Sequence, residues 1–567
     1  MKKNFVLRST NFVTTLCIAL SMLFSTMLSA DELKAFLTIK AAPPETLLNT
    51  AEKIAELAGT SKDFENAVAP FKDLAGLNPK GMFGFVLHSN GQEIKEPLLI
   101  LPINDLNAVN LPGFETITTG LKKLSDGKYI INSPLGNYLF HQKNGYVVVV
   151  AEDSVLSIPD DPKIFFTGLE KTTLGFKIDF ESTSLDSIET ALALPQMFLA
   201  MQGGPQATQV IEQFNEGLGK IYEEISSMTC GLAFDPKTAD LNLISSTIPK
   251  KGSESEQQII DYKNAKTIFN GFLGNQNDLI FSLSDVETLT PSDVDVLIGT
   301  LEQFFDAAQA QTEEQSETDE EAEFGNVVFE SLKKIVTAVL KKGKYDFAVS
   351  LNADPTLLLA FTAAETAEIE LLGTKIFDRI KKEHDENDVN EFLQKYLKKN
   401  NTTIEGFNVS SLKIPLEEAA AGHELPETLA KETVSLFWAL KDNEAVAVAV
   451  GLDFDKTEKT FHQALTNTKT PVPLKQPMIQ FSLQPLGKLL KKYSDNTAPD
   501  TIIKSIELLS AVGADAKITS SVEVIDKTMH GKISVSGTAV TVLANMIKIF
   551  AAAENNRMLD RSKIKGF

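Results

Sequence analysis

Cysteine is almost absent from this sequence. The 567 residues include two cysteines, Cys17 and Cys230. Cys17 lies in an N-terminal stretch that we expect to be removed, so the mature chain is predicted to contain no internal disulfide. Cys230 lies in the apolar, strand-like stretch MTCGLAF, where no adjacent base would activate it, and we predict a buried, inert thiol. A chain of this length can rely on core burial instead.

Histidine and the polar aromatic residues are scarce as well. The chain has 6 His, 8 Tyr and 1 Trp, against 35 Phe. No two histidines stand at a metal-ligand spacing. The stretch 423–427 reads His-Glu-Leu-Pro-Glu, so it lacks the second histidine of a zinc-protease helix and carries a proline that would disrupt that helix. Phenylalanine has no polar group, so its abundance favours packing over polar recognition.

Recognisable catalytic motifs are missing. Ser410 and Lys413 match an S-x-x-K pattern, but its companion motifs are absent. The surrounding FNVSSLKIPL alternates like a strand, which would point these two side chains to opposite sides. The sequence has no nucleophile elbow, phosphate loop or strand-linked dinucleotide motif. We therefore predict no catalytic residue, no cofactor-binding residue, no metal ligand and no cofactor, and a protein that is not an enzyme.

Positive charge is in deficit. The chain has 54 Lys and Arg against 76 Asp and Glu, a formal net charge of −22. Loss of residues 1–30 would remove Lys2, Lys3 and Arg8 but no acidic residue, so the mature net charge becomes −22 − 3 = −25. A charge of this sign and size opposes binding to nucleic acid or to an anionic membrane surface.

Long hydrophobic runs are restricted to the N-terminus. A basic start, the apolar stretch 12–28 and the sequence Leu28-Ser29-Ala30 predict a signal peptide over residues 1–30 with cleavage after Ala30. The alternative is an uncleaved membrane anchor. No later segment has about 18 uncharged apolar residues, so we expect no transmembrane span after cleavage. These features predict an exported protein, periplasmic or extracellular.

A repeated pattern is present in the rest of the chain. Four segments share an apolar strand, a polar break with helix-start residues and then a helical period. They are residues 33–48, 173–188, 278–293 and 477–492. Each pattern is followed by a hairpin, in 81–103, 230–249, 346–363 and 520–537. We predict four strand–helix–helix–hairpin units, with the bounds 31–172, 173–270, 276–470 and 476–560.

Two further stretches resemble each other and predict an extra hairpin in the first and third units. Residues 139–153 read LFHQKNGYVVVVAED and residues 436–453 read LFWALKDNEAVAVAVGLD. The resulting order of long and short units predicts a duplicated half, over 31–270 and 276–560. The predicted fold class is α+β, with antiparallel sheets and long amphipathic helices packed on one face.

One acidic segment interrupts the pattern. Residues 311–325 include seven acidic residues in the 13 positions from Glu313. Like charges and low apolarity oppose packing, so we predict a solvated, disordered loop.

The N-terminal pattern, the repeated units and the hairpin that ends GYVVVVAEDSVLSI resemble large uncharacterised bacterial exported proteins of the domain-of-unknown-function type. The resemblance implies no activity for any residue. We expect a non-enzymatic cell-envelope or periplasmic binding or structural protein, with a Phe-rich apolar groove for a hydrophobic small molecule or lipid, or with an envelope protein as partner. The alternative is a hydrolase whose site is assembled from dispersed residues.

Overall fold

The computed structural model describes residues 33–564, apart from 70–73, 110–118, 126, 134–135, 191–192, 194–214, 216, 275–277, 290–293, 303–318, 384–385, 420–430, 475–477 and 495–498. The predicted signal peptide, residues 1–30, therefore lies outside the described residues. Of the predicted acidic loop, residues 311–318 also lie outside them, whereas 319–325 belong to a helix.

The described strands are numbered here in chain order. They are Lys34–Ala41 (β1), Phe83–Ser89 (β2), Ile94–Leu101 (β3), Lys122–Ser125 (β4), Lys128–Ser133 (β5), Gly136–Lys143 (β6), Tyr146–Ala151 (β7), Leu174–Asp179 (β8), Ile225–Phe234 (β9), Leu241–Pro249 (β10), Lys266–Thr267 (β11), Leu279–Thr288 (β12), Lys344–Asn352 (β13), Leu357–Thr362 (β14), Leu397–Ile404 (β15), Phe407–Pro415 (β16), Thr433–Lys441 (β17), Ala445–Gly451 (β18), Val472–Pro473 (β19), Ile479–Ser482 (β20), Lys517–Ile525 (β21) and Thr528–Val535 (β22).

The α-helices whose bounds are described are numbered in the same way. They are Pro44–Ala58 (α1), Ser61–Val68 (α2), Glu254–Lys263 (α3), Asp319–Lys341 (α4), Thr366–Glu383 (α5), Glu386–Tyr396 (α6), Leu416–Ala419 (α7), Phe454–Thr466 (α8), Leu483–Tyr493 (α9), Asp500–Ala511 (α10) and Gly537–Ile564 (α11). Short 3-10 helices cover Pro162–Phe166, Phe180–Ser182, Asn270–Leu273 and Asn467–Lys469.

Local chemistry accounts for several element boundaries. Helix α1 has Pro44 in its first turn and is followed by Gly59, whose φ of 74° is the left-handed conformation that glycine adopts without strain. Helix α8 begins after Asp453, whose side chain accepts a hydrogen bond from the Lys456 amide at 3.0 Å. The predicted hairpin at 139–153 is present as β6 and β7, and that at 436–453 as β17 and β18.

The first compact unit comprises Met1–Gln257 together with Glu523–Asn545. Its antiparallel strands follow the order β4–β5–β6–β7–β3–β2–β1–β8–β9–β10–β22. A tight core lies on one side of β2, β3 and β7, where Val86, Leu98, Ile100 and Val148 are fully buried beneath Phe166.

The second compact unit comprises Gln258–Val522 together with Met546–Phe567. Its antiparallel strands follow the order β15–β16–β17–β18–β14–β13–β12–β20–β21. A separate two-stranded pair joins β11 to β19. Strands and covering segments share a core of alanines and phenylalanines, which includes Ala360, Ala447, Phe272 and Phe461.

The strand order that begins at β4 in the first unit recurs from β15 in the second. The two central strands also have the same irregularity, a register shift between Ala35 and Leu37 in β1 and between Leu279 and Phe281 in β12. Positions that follow these shifts can therefore be compared one to one. Lys40 lies opposite Gly84, and Ser284 lies opposite Ala348.

The predicted fold class, with long amphipathic helices packed on one face of antiparallel sheets, is wrong. Twenty described strands pair in antiparallel sheet, and most of the described helices are short. Several helices pack mainly on each other, as α9 does on α10, α4 on α5 and α1 on α2. An amphipathic period shows that a helix buries one face but does not show which element covers it. The predicted element pattern of the units did not include β4, β5 or β15, which extend the sheets, whereas β16 coincides with the stretch FNVSSLKIPL that was expected to alternate like a strand.

Candidate functional site: an exposed apolar sheet face

Four large apolar side chains form a continuous exposed row in the first unit. Leu174, Leu232, Leu243 and Ile533 are direct cross-strand neighbours on β8, β9, β10 and β22. They are 50 %, 37 %, 42 % and 43 % exposed, respectively. Cross-strand neighbours lie about 4.5–5.5 Å apart between Cβ atoms, so the four side chains present one apolar strip.

A second row lies beside the first and consists of the residues two positions away on each strand. Cys230 occupies its middle, opposite Phe176 on β8 and Ser245 on β10. Phe176 in turn lies opposite Ile39, which is 46 % exposed. The two rows together are called the apolar face below.

The third row along the same strands is partly covered. Met228, Ile178 and Leu37 are cross-strand neighbours, and all three pack against a cluster that contains Phe180 and Leu218. The sheet surface thus changes along the strands from a covered core to the exposed apolar face. This continuity makes the apolar face an extension of a hydrophobic core that is open to solvent.

Alternation in the strand sequences explains which side chains lie on the apolar face. The opposite side of the same strands carries the cross-strand row Thr38, Lys177, Thr229, Ser246 and His530. In an antiparallel sheet with one solvated side, the polar side chains are expected to face water and the apolar ones to be covered. The exposure of the apolar face is the reverse of that expectation.

The first unit also contains a cleft of about 350 Å³ that is lined by a buried lysine. Lys40 is 1 % exposed, and its ammonium donates a hydrogen bond to the Thr172 carbonyl oxygen. Burial lowers the pKa of Lys40 to about 8, partly offset by the negative charge of Glu170. The cross-strand neighbours of Lys40 are Gly84 and Gly175, which leave room for the segment that includes Thr172.

The second unit contains a cleft of about 560 Å³ with a buried carboxyl group at its floor. Asp346 is 6 % exposed. Its two carboxylate oxygens accept hydrogen bonds from Thr267 Oγ1 at 2.8 Å and from the Ile268 amide at 2.9 Å. Burial raises the pKa of Asp346 to about 6 in spite of these two donors and of the nearby Lys344.

The residues named from the sequence do not assemble into a catalytic centre. Ser410 is buried on β16 and hydrogen-bonds Asn400, whereas Lys413 is exposed, so the expectation that they point to opposite sides is confirmed. Residues 423–427 lie outside the described residues. Cys230 is a free thiol of intermediate exposure, so the prediction that it is buried is wrong. Within the described part of the chain, no group of three or more His, Cys, Asp or Glu side chains could hold a metal ion.

Comparison with known proteins adds no relative. No family model, no curated protein and no solved structure matches the chain. Among the described residues, no helix has both the length and the apolarity needed to cross a membrane.

Sequence reasoning missed Lys40, Asp346 and the apolar face. A signal for Asp346 was present, because Asp346, Ser350 and Asn352 alternate with larger residues along β13 and therefore share one side of it. The apolar face had a weaker signal, since alternation alone does not distinguish a covered sheet side from an open one.

Proposed function

We propose that this chain is an exported, non-enzymatic binding protein that holds an acyl chain or a similar hydrophobic small molecule on its apolar face. The observation that carries the proposal is the row Leu174, Leu232, Leu243 and Ile533, which is exposed across four adjacent strands. Contiguous exposed apolar surface of this kind usually marks a site where an apolar ligand or partner binds.

Two further features support an acyl chain as the ligand. The apolar face is built from aliphatic and aromatic side chains with Cys230 and Ser245 at its centre, and none of its named residues is charged. It also continues directly into the covered cluster around Phe180, which provides an apolar end for a long ligand. Each methylene group that is fully buried contributes about 0.8 kcal/mol, and a methylene group on an open face contributes the part of this that matches its covered area.

The binding test uses the full chain and a fluorescent long-chain fatty acid. The double variant Leu232→Ser and Leu243→Ser should bind at least about tenfold more weakly, because about 1.4 kcal/mol corresponds to a factor of ten. Leu124→Ser is the matched control, since Leu124 is 58 % exposed on the outer strand β4 and lies outside the apolar face. An unchanged affinity in the double variant, or no binding by the unmodified chain, would contradict the proposal.

Cys230 supplies an independent readout. Its thiol lies in the second row of the apolar face, so a saturating fatty acid should slow its alkylation by N-ethylmaleimide, measured by mass spectrometry of the peptide. Mass spectrometry of the purified protein should also detect bound lipid. An alkylation rate that does not change with fatty acid would place the ligand elsewhere and refute this site.

A further inference from the structure

The cleft of the second unit has a charge pattern that differs from the rest of this acidic chain. Three lysines line it, Lys266, Lys342 and Lys344, together with the two carboxyl groups of Asp346 and Glu444. The chain as a whole has 54 basic against 76 acidic residues, so a local excess of ammonium groups runs against its composition. Its volume of about 560 Å³ falls in the range of small-molecule sites.

The positive side of the cleft is partly prearranged. The Lys342 ammonium donates to the Ala363 carbonyl oxygen at 2.6 Å and also to the Asn443 carbonyl oxygen. An ammonium group has three hydrogens, so these two contacts hold its position and leave a third for a ligand. Lys344 is exposed on β13, two residues before Asp346 and on the same side of the strand.

The negative group at the floor is fixed still more firmly. Thr267 and Ile268 of the covering segment each donate to one oxygen of Asp346, while Thr362 Oγ1 accepts from the Asp346 amide at 3.0 Å. A carboxylate oxygen can accept two hydrogen bonds, so each oxygen keeps one acceptor site. A cationic group that reached the floor would meet a carboxylate whose position is already set.

We propose that this cleft binds a small zwitterion of the amino-acid type. The ligand carboxylate would lie between the ammonium groups of Lys342 and Lys344, and its ammonium group would lie against Asp346. This arrangement pairs each charge of the ligand with an opposite charge of the cleft. A simple anion has no positive group to pair with Asp346. The site is separate from the apolar face and does not depend on the function proposed for that face.

The test is isothermal titration calorimetry of the full chain at neutral pH, first with an equimolar mixture of the amino acids and then with each one alone. Lys344→Gln and Asp346→Asn should each weaken binding of the best ligand about tenfold or more, because each removes one charge contact. Lys341→Gln is the matched control, since Lys341 is an exposed residue at the end of α4 that does not line the cleft. Circular dichroism checks that each variant is folded.

Inorganic phosphate distinguishes a zwitterion site from a general anion site. Weak or absent phosphate binding beside measurable amino-acid binding supports the proposal. Phosphate binding that equals amino-acid binding and is unaffected by Asp346→Asn would overturn it, as would the absence of heat with every amino acid.

Discussion

The two units place large and small side chains differently at equivalent positions of their cores. In the first unit, Gly84, Ile100 and Val148 are successive cross-strand neighbours, and Phe166 belongs to the cluster that covers them. In the second unit, the same three places are occupied by alanines (Ala348, Ala360 and Ala447).

Aromatic rings make up the difference in the second unit. Phe272 and Phe461 come from the segments that cover its sheet, and their ring centroids lie 6.2 Å apart in an edge-to-face arrangement. At these three places, small residues on the strands therefore accompany large residues on the covering segments. A core must be filled to a high packing density, and either the strands or the segments that cover them can supply the large side chains.

The two units also differ at the next position of the same cross-strand row, where each has a buried polar residue. Lys40 in the first unit and Ser284 in the second lie opposite Gly84 and Ala348. Lys40 reaches the Thr172 carbonyl oxygen, whereas the hydroxyl of Ser284 is fully buried and has no hydrogen-bond partner among the described residues. In each unit a polar group is buried in the row, but only the long side chain reaches an acceptor.

The largest predicted effect tests the cover of the second unit. Phe461→Ala should lower the free energy of unfolding by about 3–5 kcal/mol, because a fully buried ring is removed from a core whose strand alanines cannot expand to fill the cavity. Urea denaturation of the full chain measures the change. Phe550→Ala is the control, since Phe550 is 49 % exposed on α11 and should cost far less. Equal losses in the two variants would show that the alanine strands and their aromatic cover do not form one packed unit.

The second prediction concerns the buried acid of the second unit. Asp346 has a pKa near 6 in the folded protein against an ordinary value of 3.8, so the folded state holds its proton more tightly. Its contribution to stability is therefore present below about pH 4 and is lost as pH rises through 6. Asp346→Asn removes this dependence, so the free energy of unfolding of the variant relative to the unmodified protein should rise by about 2–3 kcal/mol from pH 4 to pH 7. Denaturation curves at both pH values test this. A constant difference between the two proteins would mean that the carboxyl group titrates normally.

The smallest effect is expected at the buried base of the first unit, and it has the opposite sign. The pKa of Lys40 is lowered to about 8, so this group contributes stability above its ordinary pKa of 10.5 and loses it as pH falls through 8. Lys40→Met should abolish that contribution. As pH rises from 8 to 10.5, the free energy of unfolding of the variant should therefore fall relative to that of the unmodified protein. The expected fall is up to about 2 kcal/mol, because solvent screening limits the effect. Lys171→Met is the control, because Lys171 is an exposed lysine beside the same cleft. If the control varies with pH as Lys40→Met does, the effect is not due to burial.

Hairpins were the part of the fold that the sequence predicted best. Alternating apolar residues around short polar turns located β6 with β7 and β17 with β18, because the signals for strand and turn are both local. Helix packing was predicted wrongly, since the partner of an amphipathic face depends on distant segments. The candidate sites were not predicted, because their residues are distant in sequence. Leu174 and Ile533 join one row only through strand pairing, and Thr267 meets Asp346 only through a long-range contact.

By itself, the sequence of this protein determined its acidic charge, its lack of a disulfide framework beyond residue 30 and the places of many strands and turns. These properties depend on composition or on residues close together in the chain. Tertiary structure alone decided that one side of a sheet stays open and apolar, and that a lysine and an aspartate are buried with shifted pKa values. Exposure and electrostatic environment depend on what packs against a residue, and those neighbours come from segments far apart in sequence.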